Sequence, residues 1–345
     1  PRGVVGSGVL AREAGEEGVR VEGRRGGAAG GKTGGGISAV RGEVAVLGLP
    51  CAVRRVLRRI GGGSRSRGPQ NAEDGSTIAL ILPSMKTSVD QRLLDALEKH
   101  GAEAQLELFI RITRESREEE ALAIERFRNR GVDGFIIFPV EQENYNDAIL
   151  RLSLDRYPLV LVDRFLKEIR TYSVSSDNIG GTRDAIADLL EQGHRRIAYL
   201  STEITNTVTE ERARGYEAAF TDRELPIDKS YWCLLPIDTI ASGEAEEAIG
   251  RFLRERPGTT AVFAANAELA RYADRAIRAM REGNPAHAVP KLTAFDDPGV
   301  RGAIYIQQQE DEIGRLAVEL LVEQLAGRFE PRRVVVPVLY PRSAE

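Results

Sequence analysis

From Thr77 onward, short continuous apolar runs alternate with longer stretches whose apolar residues recur every three or four positions. The runs TIALILP (77–83), AQLELFI (104–110), GFIIFP (134–139), LVLVD (159–163) and RIAYLS (196–201) predict strands. So do YWCLLPI (231–237), TAVFAAN (260–266), KLTAFD (291–296), AIYIQQ (303–308) and RRVVVPVL (332–339). Between them, 89–101, 116–131, 144–153, 177–193, 211–223, 243–256, 268–283 and 312–327 carry the helical period. Gly101 and Gly193 are expected just past helix ends, and Asp177 or Asn178 at a helix start. Strands apolar on both faces, each followed by a helix, imply parallel sheets covered on both sides. About ten strands are too many for one such sheet, so the expectation is two doubly wound subdomains with a ligand cleft between them.

The first 70 residues break this pattern. They hold 19 of the 35 glycines and a net charge of +8, against −4 for all 345 residues. A segment such as GRRGGAAGGKTGGG cannot sustain a helix, since each Gly costs about 1 kcal/mol relative to Ala. Short helical pieces are expected at 9–18 and 51–60, and a flexible linker at 61–76. Gly26 to Thr33 fits the P-loop pattern letter for letter, but no buried strand precedes it and no helix follows, so it reads as chance. No apolar run is long enough to span a membrane, and no signal-peptide core is visible, so the expected location is cytoplasmic. Cys51 and Cys233 match no metal or disulfide spacing, and His100, His194 and His287 are scattered; no metal or cofactor is expected.

The candidate chemistry lies at strand ends. Asp163 ends LVLVD and Asp296 ends LTAFD, each placed to accept from ligand hydroxyls; pairing with Arg164, or capping a turn, is the plainer reading of Asp163. Of Asp296 and Asp297, one is expected in the cleft and the other in the turn. Arg212 lies near the first turn of a helix, where its planar fork suits a hydroxyl pair or carboxylate; a solvated arginine beside Glu210, Glu211 and Arg214 is the alternative. Asn266 ends TAVFAAN and serves equally as ligand contact or helix cap. His194, with Arg195 and Arg196, is read as the cationic complement of a helix C-terminus rather than a catalytic base. No Gly-x-Ser-x-Gly elbow anchors a hydrolase triad, and paired carboxylates alone do not make a glycosidase, so no enzyme is expected.

Taken in order, LVLVDR, SSDNIGG, LLEQGHRRIAYLS, ERARGY, AVFAAN, LTAFDD, QQQEDEIGRLAVELL and VVPVLYPRS resemble the lactose-repressor (LacI) family with its periplasmic-binding-protein-like sensor. VDR and SSDNIGG are similar also to sensors of arabinose-repressor type, which carry a GntR-type winged helix. The resemblance covers about 77–345 and implies an α/β fold of two subdomains joined by three crossovers, about 77–175 with 309–337, and 176–308 with 338–345. It implies an effector, usually a sugar or nucleobase, bound by Asp163, Arg212, Asn266, Asp296 and, more loosely, Gln308, with the loop Ser84–Val89 closing over it. Tyr231 and Trp232 are the aromatic candidates. It implies a homodimer whose affinity for a DNA operator changes on binding. A solute-binding protein of a transport system is the alternative of the same fold. Two departures stand out: Ala267 replaces the Asp that usually follows Asn266, and residues 1–76 resemble no DNA-reading domain of the family beyond fragments such as LAREAG and VRRVLRRI, so a poorly structured head is expected.

Overall fold

The computed structural model describes residues 75–140, 146–167, 169–203, 205–283 and 288–341; the expectations for the head and for His287 lie outside them. The chain runs β1 Thr77–Leu82, α1 Ser88–Glu103, β2 Glu107–Ile112, α2 Arg117–Asn129, β3 Gly134–Ile137, α3 Asp147–Leu154, β4 Leu159–Val162 and β5 Tyr172–Ser176. Next come α4 Asn178–Glu191, β6 Ile197–Thr202, α5 Thr207–Thr221, a 3-10 turn Lys229–Tyr231, β7 Trp232–Leu235, α6 Ile237–Ala241, α7 Ala245–Arg254 and β8 Ala261–Ala264. The last elements are α8 Ala267–Gly283, β9 Lys291–Phe295, β10 Ile304–Ile306, α9 Glu310–Leu325 and β11 Arg333–Val336.

The strands form two parallel sheets, one of order β11-β5-β4-β3-β1-β2 and one of order β10-β9-β8-β6-β7. Apart from β11, the second sheet repeats the order of the first. Each sheet is sandwiched because its strands alternate between two apolar cores. On β1, Ile78, Leu80 and Leu82 face one cluster with Val318 and Leu321, while Ala79 and Ile81 face the other with Ile124 and Phe127. In the second sheet, Leu200 and Ala264 face α7 and α8, and Tyr199 and Phe263 face α4 and α5. Side chains start the helices where the sequence offers them: Thr87, Ser116, Asn146, Asp177 and Asn206 each accept from a first-turn N–H.

The chain passes between the sheets between β5 and α4, between β10 and α9, and beyond β11. The run 332–339, expected as one strand, is divided at Pro337, which has no N–H for a ladder. Residues 333–336 pair with β5, whereas Leu339 makes an antiparallel bridge to Gln307 beside the other sheet. β5 itself was not anticipated: three of its five residues are serines, and a buried strand of serines carries no apolar run. Gly101 does not end α1, which continues to Glu103; a Cβ on Gly101 would lie 3.3 Å from Leu108. The next strand accordingly starts later than 104, after Gln105 turns the chain at φ 57°.

Gly215 decides how closely α4 and α5 pack. A Cβ there would sit 2.6 Å from the Ile179 carbonyl oxygen and 2.7 Å from Thr182 Cβ. Gly215→Ala therefore pushes the two helices apart and is expected to cost about 1–3 kcal/mol, read as a lower urea midpoint with an unchanged slope.

Candidate functional site

Two aspartates mark equivalent places in the two sheets. Asp163 follows β4 and Asp296 follows β9, and both take left-handed backbone, at φ 66° and 68°. Each first adds a rung to the ladder: Asp163 N–H donates to Val174 O at 2.9 Å, and Asp296 N–H to Ile306 O at 2.8 Å. Non-glycine residues seldom adopt this conformation, and Asp is among those that tolerate it. Such outliers persist where the surroundings over-determine them, often at functional sites. Asp296 is buried; Asp297 is exposed and accepts from Gly299 N–H at 2.8 Å, so the first faces inward and the second turns the chain.

Arg212 reaches the same place from α5. It is 5% exposed, far from the solvated alternative. Its Nε donates to Asn178 Oδ1 at 2.9 Å, its Nη1 to Ala265 O at 2.6 Å, and its guanidinium carbon lies 3.6 Å from the centre of the Phe295 ring. Nη2 has no hydrogen-bond partner among the described residues. Burial pushes the guanidinium below its ordinary value, while Asp296 and then Asp163 push it back up. Burial raises the Asp296 carboxyl to about 6, against the opposing effects of Arg212 and Gln308. The site is thus an arginine edge flanked by two carboxylates, which suits a ligand dense in hydroxyl groups.

Asn266 caps a helix and keeps its amide NH2 for a further contact. Its Oδ1 accepts from Leu269 N–H at 2.8 Å, capping α8, while its amide NH2 has no partner among the described residues. It follows Ala265, the carbonyl on which Arg212 rests. Gln308 sits deeper, 3% exposed, accepting from Ser176 Oγ at 2.5 Å and donating to Asp296 Oδ1 at 2.9 Å. Its amide is thus engaged on both sides, by Ser176 and by Asp296. Arg164 donates to Pro139 O at 2.5 Å, and its Nε lies 3.8 Å from Asp163 Oδ2.

Several residues of the site were not legible as such. Glu211, expected among solvated charges, is buried; it accepts from Asn178 Nδ2 at 3.2 Å and pairs with Arg333 at 2.7 Å. Arg333, on β11, also donates to Ser175 Oγ and covers the Phe165 ring at 3.7 Å. On the other side, Arg92 of α1 donates twice to Glu310 Oε1, at 3.0 and 2.6 Å, close enough to feel the Asp296 charge. In the loop Ser84–Val89, Ser84 Oγ and Thr87 N–H both donate to Asp90, which fixes the start of α1. SSDNIGG was the available signal, since it supplies Ser176 and Asn178 together.

Three readings change. Trp232 packs on Tyr199 and Tyr216, with centroids 4.8 and 5.6 Å away. It pairs in register with Tyr199, level with Thr293 and three residues short of Asp296, so it belongs to the core about 10 Å from the strand ends. Tyr231 lies beside it at the same end. His194 is held below its ordinary value by burial and by Lys291, which disfavours the cation; Arg195 is the residue that donates to the helix carbonyl Leu190 O, at 2.6 Å. Burial pushes the Cys233 thiol up to about 11, so it is not a reactive thiolate. No group of three or more His, Cys, Asp or Glu among the described residues is placed to hold a metal, and no described helix is long and apolar enough to cross a membrane.

Residues 75–344 match the family described as periplasmic binding proteins and sugar binding domain of LacI family. The chain belongs to this family. It is 28% identical over 271 residues to the transcriptional regulator PtxS of Pseudomonas aeruginosa, covering 76% of this chain and 75% of that one. It is 22% identical to the ribose operon repressor of Haemophilus influenzae over 267 residues, 75% of this chain and 77% of that protein. Among solved structures, a CelR–cellobiose complex superposes with a TM-score of 0.67 at 24% identity, over 83% of this chain and 87% of the other. Cra of Pseudomonas putida with fructose 1-phosphate gives 0.66 at 19%, over 78% and 99%. These structural likenesses show the fold of the LacI-family sensor.

In this LacI-family domain the Asp296 carboxyl is strongly perturbed by its burial at the site. Its folded value of about 6 lies above that of an unfolded aspartate, so its contribution to stability is complete at low pH and lost as pH rises through about 6. The melting temperature of the parent minus that of Asp296→Asn, which cannot titrate, is therefore expected to fall steadily between pH 4 and pH 7. A flat difference would show that the carboxyl is not held up by burial.

Proposed function

We propose that this chain is a ligand-responsive transcriptional regulator whose sensor takes a polyhydroxylated effector, a sugar or close derivative, between two subdomains. The subdomains are about 77–175 with 309–337, and 176–308 with 338–345. One observation carries the reading: Asp163 from one sheet and Arg212 with Asp296 from the other converge, their charges interacting, where the chain crosses between the sheets. Asp163 and Asp296 accept from hydroxyls, Arg212 donates through Nη2 and Asn266 through its amide, while Gln308 holds Asp296. A bound effector bridges the sheets and favours whichever arrangement of the subdomains brings the four groups together. The relatives are named as transcriptional regulators and repressors, and two of the solved neighbours hold cellobiose or fructose 1-phosphate. These names support a regulator over a transport protein or an enzyme. The protein would act in the cytoplasm as a homodimer on a DNA operator, the effector shifting the balance of its DNA-competent form.

A thermal-shift screen of the chain against pentoses, hexoses, sugar phosphates and purines tests the site. A hit is expected to weaken about tenfold to a hundredfold in Asp163→Asn and in Arg212→Lys, each of which loses one charged or forked hydrogen bond. A hit indifferent to both substitutions places the effector elsewhere. The same hit is expected to weaken about tenfold from pH 7 to pH 5 as Asp296 takes up its proton. For DNA, the chain from residue 1 is expected to retard an operator fragment at moderate salt, whereas residues 75–345 alone do not. Equal retardation, or none, would remove the role of the +8 head.

A further inference from the structure

A second concave site lies at the opposite ends of the strands from the cleft. A cavity of about 190 Å³ opens where β4 and β5 begin, walled by Arg156, Tyr157, Arg170 and Phe329, with Ser153 and Thr171 also lining it. Its floor is rigid. Gln324 of α9 bonds Leu159 through both backbone groups, accepting from its N–H at 3.0 Å and donating to its carbonyl at 3.1 Å. The Tyr172 hydroxyl donates to Arg328 O at 3.1 Å, which pins the segment carrying Phe329 over the strand ends.

Two arginines line this cavity. Neither guanidinium has a hydrogen bond or carboxylate partner among the described residues, whereas about half of the described arginines do. Arg156 follows the end of α3 in left-handed backbone, φ 53°. A positive residue in that place ordinarily serves the exposed helix carbonyls. Elsewhere in this chain it does: Arg195 folds back on Leu190 O at 2.6 Å, and Arg256 on Phe252 O at 3.1 Å. Arg156 makes no such bond. The Arg328 guanidinium, just before Phe329, also has no hydrogen-bond or carboxylate partner among the described residues, and Glu330 lies two residues on. Two forked donors beside recessed hydroxyls and an aromatic wall match an oxyanion on a short organic body.

The geometry points to a second ligand site here, for a small organic phosphate or carboxylate, separate from the cleft. The volume equals about six water molecules at roughly 30 Å³ each. It accepts a phosphate or dicarboxylate of about three or four carbons, or the charged end of a larger ester whose body lies against Phe329. The site adjoins the edge of the sheet at which the chain before Thr77 enters, since Thr77 stands two strands from Leu159. This inference is independent of the cleft reading.

Calorimetry and thermal shift on the whole chain test it with inorganic phosphate, glycerol 3-phosphate and succinate as probes. At least one is expected to bind at millimolar concentration. Binding is expected to fall at least tenfold in the Arg156→Gln/Arg170→Gln pair, to recover in part with lysine at both positions, and to persist in Arg212→Lys. Phosphate esters outbinding succinate would identify the phosphate class, and the reverse the carboxylate class. Absence of binding by all three probes, binding unaffected by the glutamine pair, or binding lost in Arg212→Lys overturns the proposal, the last assigning the anion to the cleft. Dependence of duplex DNA binding on the two arginines, with no response to the small anions, also overturns it and makes the surface a nucleic-acid contact. Both arginines are exposed, so the variants are expected to melt with the parent, and an unchanged response to a cleft ligand confirms their fold.

Discussion

A guanidinium taken out of water must be compensated on every side, and the middle of this molecule is organised around Arg212 meeting that demand. Its two occupied nitrogens rest on Asn178, at the first passage between the sheets, and on the end of β8. Its face lies on Phe295 and its charge is balanced by Asp296 and Asp163. The same helix sends Glu211 to Arg333 of β11, beside the third passage. An unpaired buried charge costs several kcal/mol, so these partners constrain one another. The remaining edge of the arginine has no hydrogen-bond partner among the described residues.

Around this centre the chain repeats itself. The order β2-β1-β3-β4-β5 recurs as β7-β6-β8-β9-β10. In each half an aspartate follows the fourth strand, takes left-handed backbone, and bonds the fifth strand through its N–H. The halves are not equal. The Asp296 carboxyl is buried against Gln308 and raised to about 6, whereas Asp163 neighbours Arg164. Of these two like but unequal carboxylates, Asp296 is the one that burial brings to titrate near neutrality. The arginine-lined cavity lies at the far ends of β4 and β5, away from these aspartates.

Most strands and helices, and the aspartates at two strand ends, were legible in the order of apolar runs. The failures share a cause. β5 is hidden because serines are buried there, their hydroxyls satisfied by Arg333 and Gln308, neither of which is near in sequence. Glu211 reads as a solvated charge because its partners come from α4 and β11. Trp232 invites a ligand role by its chemistry alone, and strand register assigns it to the core.

By itself the sequence determined the alternation of strand and helix, the two-sheet class, and which polar residues end strands, because period and strand-end position are local properties. Only the tertiary structure decided which of those residues meet. Burial and partnership belong to atoms brought together from distant segments: Gln308 bonds Ser176 and Asp296, Asn266 caps α8 beside the carbonyl on which Arg212 rests, and Arg156 meets Arg170 at the rim of a cavity.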